Sequence, residues 1–161
     1  MKRLLLPTSL VIYGFLAGCA GYGPSKEMVG KDRAAVIAAM GQPAAQQALG
    51  QGSRLVYPRG PYGRHTYFVD LNPEGVVTSW QQVLTEERFK QVQPGKTAAE
   101  VEALIGPSLI KYQLARNRGE VWAYRFETPF CIWFDIEFSA QGVVRSAGHG
   151  LPPECMKDDR D

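Results

Sequence analysis

The chain has little of what most enzymes and nucleic-acid binders need. Its two histidines, His65 and His149, stand far apart, and no H-x-x-H, H-E-x-x-H or C-x-x-C spacing accompanies them. A protein-built metal site therefore has no ligand set in the sequence. A G-x-S-x-G elbow and a phosphate-cradling glycine loop are also missing, so neither histidine has a nucleophile to activate. His65 reads as a strand-end residue and His149 as part of a Gly148-His149-Gly150 exit loop. Glu86 and Glu87 read as a helix first turn favoured by the dipole, not as an acid–base pair. These absences point away from catalysis, from a metal and from any diffusible cofactor.

Excess charge of one sign is lacking too. Eighteen Lys and Arg face sixteen Asp and Glu, and the surplus is accounted for by Lys2 and Arg3. Without those two residues 16 basic side chains balance 16 acidic ones, which leaves no basic field for nucleic acid.

There is no hydrophobic run long enough to span a bilayer of about 30 Å. The longest, LLLPTSLVIYGFL, follows Met-Lys-Arg and leads into Leu16-Ala17-Gly18-Cys19, which matches the bacterial lipobox. Residues 1–18 are therefore expected to be a cleaved export signal. Cys19 would become the mature N-terminus, carrying acyl chains on sulfur and nitrogen, and that covalent lipid is the one non-protein group expected. Residues 19–26 would form a lipidated tether. Ala20, not Asp, follows the cysteine, the pattern of lipoproteins sorted to the outer membrane and facing the periplasm. In that oxidising compartment the remaining pair, Cys131 and Cys155, is expected to form a disulfide worth about 3 kcal/mol by loop closure, drawing the Leu151–Cys155 tail across the outer face of a strand.

What is present in quantity is pattern. Thr97 with Glu100 makes a capping box, Val101, Leu104 and Ile105 fall on one helical face, and Gly106-Pro107 marks the stop. Earlier in the chain Asp32 stands as a cap, Val36, Ala39 and Met40 as the apolar face, and Gly41 before Pro43 as the stop. Helices this short must be held by something they pack on. Farther along, Ile132, Phe134, Ile136 and Phe138 alternate with Cys131, Trp133, Asp135 and Glu137, and Tyr67, Val69 and Leu71 hold the same register in the first half. Asn72-Pro73-Glu74-Gly75 and Ser139-Ala140-Gln141-Gly142 read as hairpin turns.

The expected fold is α+β: two tandem repeats, each a short helix followed by a three- to four-stranded antiparallel β-meander, packed together. The first repeat spans 27–83. The second, 84–150, has an extra helical turn in TEERFKQV that makes a helix-turn-helix entry. Residues 151–161 form a tail. Trp80 and Trp133 are expected to serve packing.

For binding, YPRGPYGRH stands out. Tyr57, Arg59, Tyr62 and Arg64 lie among Pro and Gly in what reads as a loop between strands, and Arg with Tyr is the pairing enriched at binding hot spots. A protein partner suits such a loop.

The lipobox, the helix with Gly95, Thr97, Val101, Ile105, Gly106 and Pro107, the Trp122-x-Tyr124 strand and the Gly142-Val143 turn together resemble the SmpA/OmlA lipoproteins, the BamE-like fold of β-barrel assembly. Lys96 stands where that family usually has Met, Pro directly follows Gly106, and the unit is doubled, as in the β-lactamase inhibitor protein. The resemblance implies a non-catalytic, lipid-anchored envelope protein that binds an outer-membrane or envelope protein, such as the assembly machinery, and supports outer-membrane assembly or integrity. The alternative it implies is a periplasmic inhibitor or ligand-binding module using the concave surface of its sheets.

Overall fold

The computed structural model describes residues 22–156. The expected export signal, Cys19 and residues 157–161 lie outside the described residues. Within them the fold is α+β, with two four-stranded antiparallel sheets and few helices. Helix α1 (Arg33–Met40) precedes a sheet of β1 (Ala45–Leu49), β2 (Gly52–Arg59), β3 (His65–Leu71) and β4 (Val77–Gln82). Helices α2 (Glu86–Phe89) and α3 (Ala98–Ile105) precede a sheet of β5 (Ile110–Gln113), β6 (Gly119–Tyr124), β7 (Trp133–Ser139) and β8 (Val144–Gly150). In both sheets the strands lie in chain order.

Local chemistry sets both helix ends. Asp32 accepts the Ala35 N–H at 2.8 Å. Thr97 accepts the Glu100 N–H at 3.3 Å while the Glu100 carboxylate accepts the Thr97 N–H at 2.7 Å, the reciprocal capping box. Those hydrogen bonds, from the Thr97 amide first and its hydroxyl second, hold the Glu100 carboxyl below its usual value. Gly41 and Gly106 close the helices at φ 75° and 79°, a conformation costly for residues with a Cβ.

Each helix is then strapped to the last strand of its own sheet by matching bonds. Gly30 N–H reaches Val77 O, Val77 N–H reaches Lys31 O and Arg33 N–H reaches Gly75 O at 2.8–3.0 Å. In the second half Gly95, Val144 and Ala98 repeat this pattern with Val144, Lys96 and Gly142 at 2.8–2.9 Å. These straps supply the support that eight-residue helices lack on their own. Both sheets also shift register at the same place, between Asp70 and Leu71 and between Glu137 and Phe138.

The front of each sheet packs on its own helix. Val36 and Met28 meet Leu55, Tyr57, Val69 and Leu71 in the first half. In the second, Val101 and Ile105 meet Trp122, Tyr124, Ile136 and Phe138, and Phe89 stacks on Phe134 with centroids 4.2 Å apart. The back of the first sheet, with Val56 and Phe68 fully buried, is covered by the C-terminal end of α3. A Cβ on Gly106 would stand 2.8 Å from Thr66 Cγ2. Gln47, Arg54 and Arg88 donate to the carbonyl oxygens of Glu102, Ala103 and Leu104 at 3.2, 3.4 and 3.0 Å. Arg54 is gripped by Asp70 at 2.6 and 3.0 Å and lies over the Phe68 ring at 4.4 Å.

Several local expectations need correction. Ala39 is exposed, because the sheet takes only Val36 and half of Met40 from that face of α1. TEERFKQV is helical only over Glu86–Phe89, behind the cap Thr85. Strand β7 begins at Trp133, so Cys131 and Ile132 precede it. His149 lies inside β8 opposite Phe134, not in an exit loop. The segment from Tyr22 does not run free: Tyr22 stacks on His65 at 5.2 Å and Pro24 is buried.

Candidate functional site

Chain geometry divides the four residues of the YPRGPYGRH segment. Tyr57 and Arg59 belong to β2, so the loop proper is Gly60–Arg64. Tyr57 is 1% exposed, and its hydroxyl donates to Gly41 O at 3.1 Å. It is a core residue and presents nothing to a partner, which corrects its assignment to a binding loop. Arg59 donates to the Met40 carbonyl at the end of α1 and lies 5.0 Å from the Tyr57 ring centroid. Its guanidinium thus caps a helix. Arg64 reaches across to Glu127 in the second half at 3.1 Å, where His65 Nε2 also approaches at 3.5 Å.

Tyr62 remains. It is 61% exposed at the tip of the loop and holds φ 57°, ψ 28°, a left-handed conformation unusual for an aromatic residue. Local strain of this kind persists only where surrounding structure enforces it. Gly60 before it and Gly63 after it, both at positive φ, make the tight turn. Leu109 then packs so closely under Gly63 that an added Cβ would lie 3.1 Å away.

The loop tip hangs over the back of the second sheet. The Arg125 guanidinium stands 5.2 Å from the Tyr62 ring and 5.6 Å from the Trp133 ring, and pairs with Glu154 at 3.3 Å. Tyr62, Ile110, Tyr112, Arg125, Trp133 and Glu154 enclose an open groove of about 380 Å³. The Cys131–Cys155 disulfide, with Cα atoms 6.2 Å apart, ties down the turn that carries Glu154, so the tail forms one wall. Strand pairing extends the face. Ile110 opposes Ala123, which opposes Asp135, and Tyr112 opposes Val121, which opposes Glu137.

On this face Glu137 pairs with Arg145 at 3.3 Å. Asp135 has no hydrogen-bond or ion-pair partner among the described residues, and burial pushes its carboxyl above the ordinary value. Tyr112 is 46% and Leu109 57% exposed. Tyr62 and Tyr112 line the same groove, and large apolar side chains exposed together mark an interaction surface more often than isolated ones do. Of the four residues expected to bind a partner, Tyr62 alone belongs to this surface; Arg64 only braces the loop. Ile110 and Tyr112 escaped notice because their strand, IKYQ, is four residues long and shows little alternation, and Leu109 and Arg125 because they lie just outside strands, before β5 and after β6. Trp133 packs beneath Arg125 as well as serving as a groove floor.

A larger groove, about 560 Å³, lies at the start of the described chain among Tyr22, Ser25, Met28, Ala39, Met40 and Arg59. Arg59 is its one ionisable group besides Tyr22, and Arg59 is engaged with Met40. The two histidines each meet a glutamate from a distant segment, His65 with Glu127 and His149 with Glu86 at 3.1 Å. Among the described residues no group of three or more His, Cys, Asp or Glu could hold a metal ion, and no helix is long and apolar enough to cross a membrane.

No family model and no curated protein matches the chain. Among solved structures it is similar to an extracellular protein containing a SCP domain from Bacillus anthracis str. Ames, at 12% identity and a TM-score of 0.32. That match covers 87% of this chain and 57% of the other, so the chain spans little more than half the length of that structure. A likeness this distant tells nothing of function.

Proposed function

We propose that the chain is a non-catalytic, lipid-anchored envelope protein whose binding surface is the back of the second sheet beneath Tyr62. The observation that carries the reading is the contrast between two equivalent faces. The first sheet's back is buried under α3, whereas the second sheet's back, with Tyr62 above it, presents Tyr62 and Tyr112 to solvent around a groove. Exposed aromatics on a rigid scaffold, with an arginine stacked among them, are what protein interfaces place at their centres.

The finer identity is part of the same proposal. Helix caps, straps, sheet order and register shifts correspond between the halves, which supports a tandem pair of one unit. Together with the capping-box helix and the Trp122-x-Tyr124 strand, they support a BamE-like unit of the SmpA/OmlA kind. The lipobox supports attachment through Cys19 to the outer membrane, facing the periplasm, with an envelope protein such as the β-barrel assembly machinery as partner.

Photocrosslinking residues placed at Tyr62 and Tyr112 in living cells test the surface. Capture of β-barrel or assembly-machinery proteins at both positions is expected. A soluble periplasmic enzyme captured instead would favour an inhibitor, and no specific product at either position would remove this face as the site. Palmitate labelling tests the anchor: Cys19→Ser is expected to abolish incorporation, because the thioether needs the sulfur. Undiminished labelling would end the lipoprotein reading.

A further inference from the structure

We infer that the back of the second sheet takes a segment of a partner protein in which a lysine or arginine is flanked by apolar side chains, the cation pairing with Asp135. The inference rests on the reading of that face as a binding surface and names the chemistry of its occupant.

The covered face shows how this fold fills such a site, and the open face differs from it at the decisive positions. On the first sheet, Gln47 and Arg54, with Arg88 from α2, donate to the carbonyls at the end of α3, the electronegative end of a helix. Matched by strand order and register, Gln47, Arg54 and Phe68 give way on the second sheet to Tyr112, Val121 and Asp135. An amide and a guanidinium give way to a phenol and an isopropyl group, and a carboxylate stands where a phenyl ring was. Beside Asp135 an occupant that offers carbonyls, as α3 does, would meet repulsion, whereas Arg125, farther along the face, is already paired with Glu154.

Asp135 is already half-buried and unpartnered among the described residues, and desolvation raises its affinity for a proton. A wholly apolar occupant would finish burying that charge without a partner, the costly case. A basic side chain removes the conflict, and a guanidinium can engage both carboxylate oxygens at once. The neighbouring acids already have cationic partners, Glu137 in Arg145 and Glu154 in Arg125, each at 3.3 Å.

Space and flanking chemistry agree. Beside Asp135 the outward row of β8 is Ser146, Gly148 and Gly150; the Asp135 carboxylate lies over Gly150, and a Cβ on Gly148 would meet nothing within 4 Å. A long side chain can lie over Gly148 and reach that carboxylate. On the opposite side Ile110 and Tyr112 offer apolar surface for the residues that flank the cation.

The test selects a random peptide library displayed on phage against the full-length chain in detergent. Enriched peptides are then measured by fluorescence anisotropy on the parent, Asp135→Asn, Tyr112→Ala and Glu137→Gln chains. Enriched sequences are expected to carry Lys or Arg beside apolar residues. Their Kd should weaken about tenfold or more on Asp135→Asn and on Tyr112→Ala, and stay within about twofold on Glu137→Gln. Peptides without a basic residue, or peptides that need Tyr112 yet ignore Asp135→Asn, would overturn the inference and leave the binding surface standing. Peptides indifferent to both substitutions would overturn the two together. Failure to enrich any peptide, or sedimentation showing a second copy of the chain on this face, would also overturn the inference, while in-cell crosslinking from Tyr62 would still decide the surface.

Discussion

Tyr124 donates its hydroxyl to the carbonyl oxygen of Gly106 at 3.0 Å, tying the middle strand of the second sheet to the end of its own helix. Tyr57 does the same for Gly41 at 3.1 Å. A helix end leaves carbonyls without partners, and here the sheet supplies the donor. Burial, and secondarily Glu102, pushes the Tyr124 phenol well above its ordinary value, so it remains a donor throughout the neutral range. Tyr124→Phe keeps the ring and strands the carbonyl, and should cost about 1–2 kcal/mol. Tyr57→Phe, in a wetter setting, should cost about 1 kcal/mol or less. Urea unfolding of both variants checks this; a Tyr124→Phe protein as stable as the parent would mean that water replaces the bond.

Arg54 and Asp70 hold the first sheet to α3 and are both largely buried. Removing one partner leaves the other charge without compensation, so Asp70→Ala should cost about 3–5 kcal/mol. Replacing both together by Met and Leu of similar volume should recover most of that loss. Thermal melts of the single and double variants decide it. A single variant within about 1 kcal/mol of the parent would show that the pair is effectively solvated.

Asp135 should weaken the unbound protein. Its carboxyl is raised by desolvation, so the folded state holds the proton more tightly than the unfolded chain does. The penalty is complete at neutral pH and fades as pH falls through the raised value toward the unfolded value of about 3.9. Asp135→Asn should therefore stabilise the protein at neutral pH, by no more than about 0.5 kcal/mol given the solvent that still reaches the group. That gain should vanish on acidification. Denaturation of both chains across the acid range checks the sign, and a destabilised Asn variant at neutral pH would contradict it.

Val36 and Val101 are both fully buried between a helix and its sheet. An aspartate at either position would sit unpaired against that sheet and should cost several kcal/mol, enough to unfold a domain of ordinary stability. Reducing the Cys131–Cys155 bridge should cost less, about 2–4 kcal/mol, because it frees only the tail. Melting curves should rank the three in that order. A Val36→Asp chain that melts like the parent would mean that α1 contributes nothing to the fold.

How much of this was legible follows from what each signal depends on. Asp32, Gly41, Thr97 and Gly106 announced the helix ends because capping is a matter of neighbours in sequence. Tyr67, Val69, Leu71 and their counterparts Phe134, Ile136 and Phe138 announced strands because one face of each is buried against a helix. Strand β1, AQQAL, gave no such sign: it is an edge strand whose residues are half-buried at most. Tyr57 was misplaced because Pro58, Gly60 and Pro61 look like a loop, although β2 runs through Pro58 as far as Arg59. His149 was misplaced because the glycines on either side, which bare the shelf beside Asp135, resemble a turn. The proposed binding face depends on what covers each sheet, and that depends on contacts between halves more than fifty residues apart, such as Gln47 with Glu102.

The exchange of Arg54 and Phe68 for Val121 and Asp135 also bears on polymerisation. A sheet back that accepts the helix of the following unit could, in principle, accept the α1 end of another molecule, and such head-to-tail addition has no built-in stopping point. Here the back of the second sheet meets an incoming row of helix carbonyls with Asp135 where the first sheet has Phe68, and with Val121 where it has Arg54. A carboxylate set against helix carbonyls is repulsive, so that pair of exchanges disfavours the recruitment of further copies of the chain.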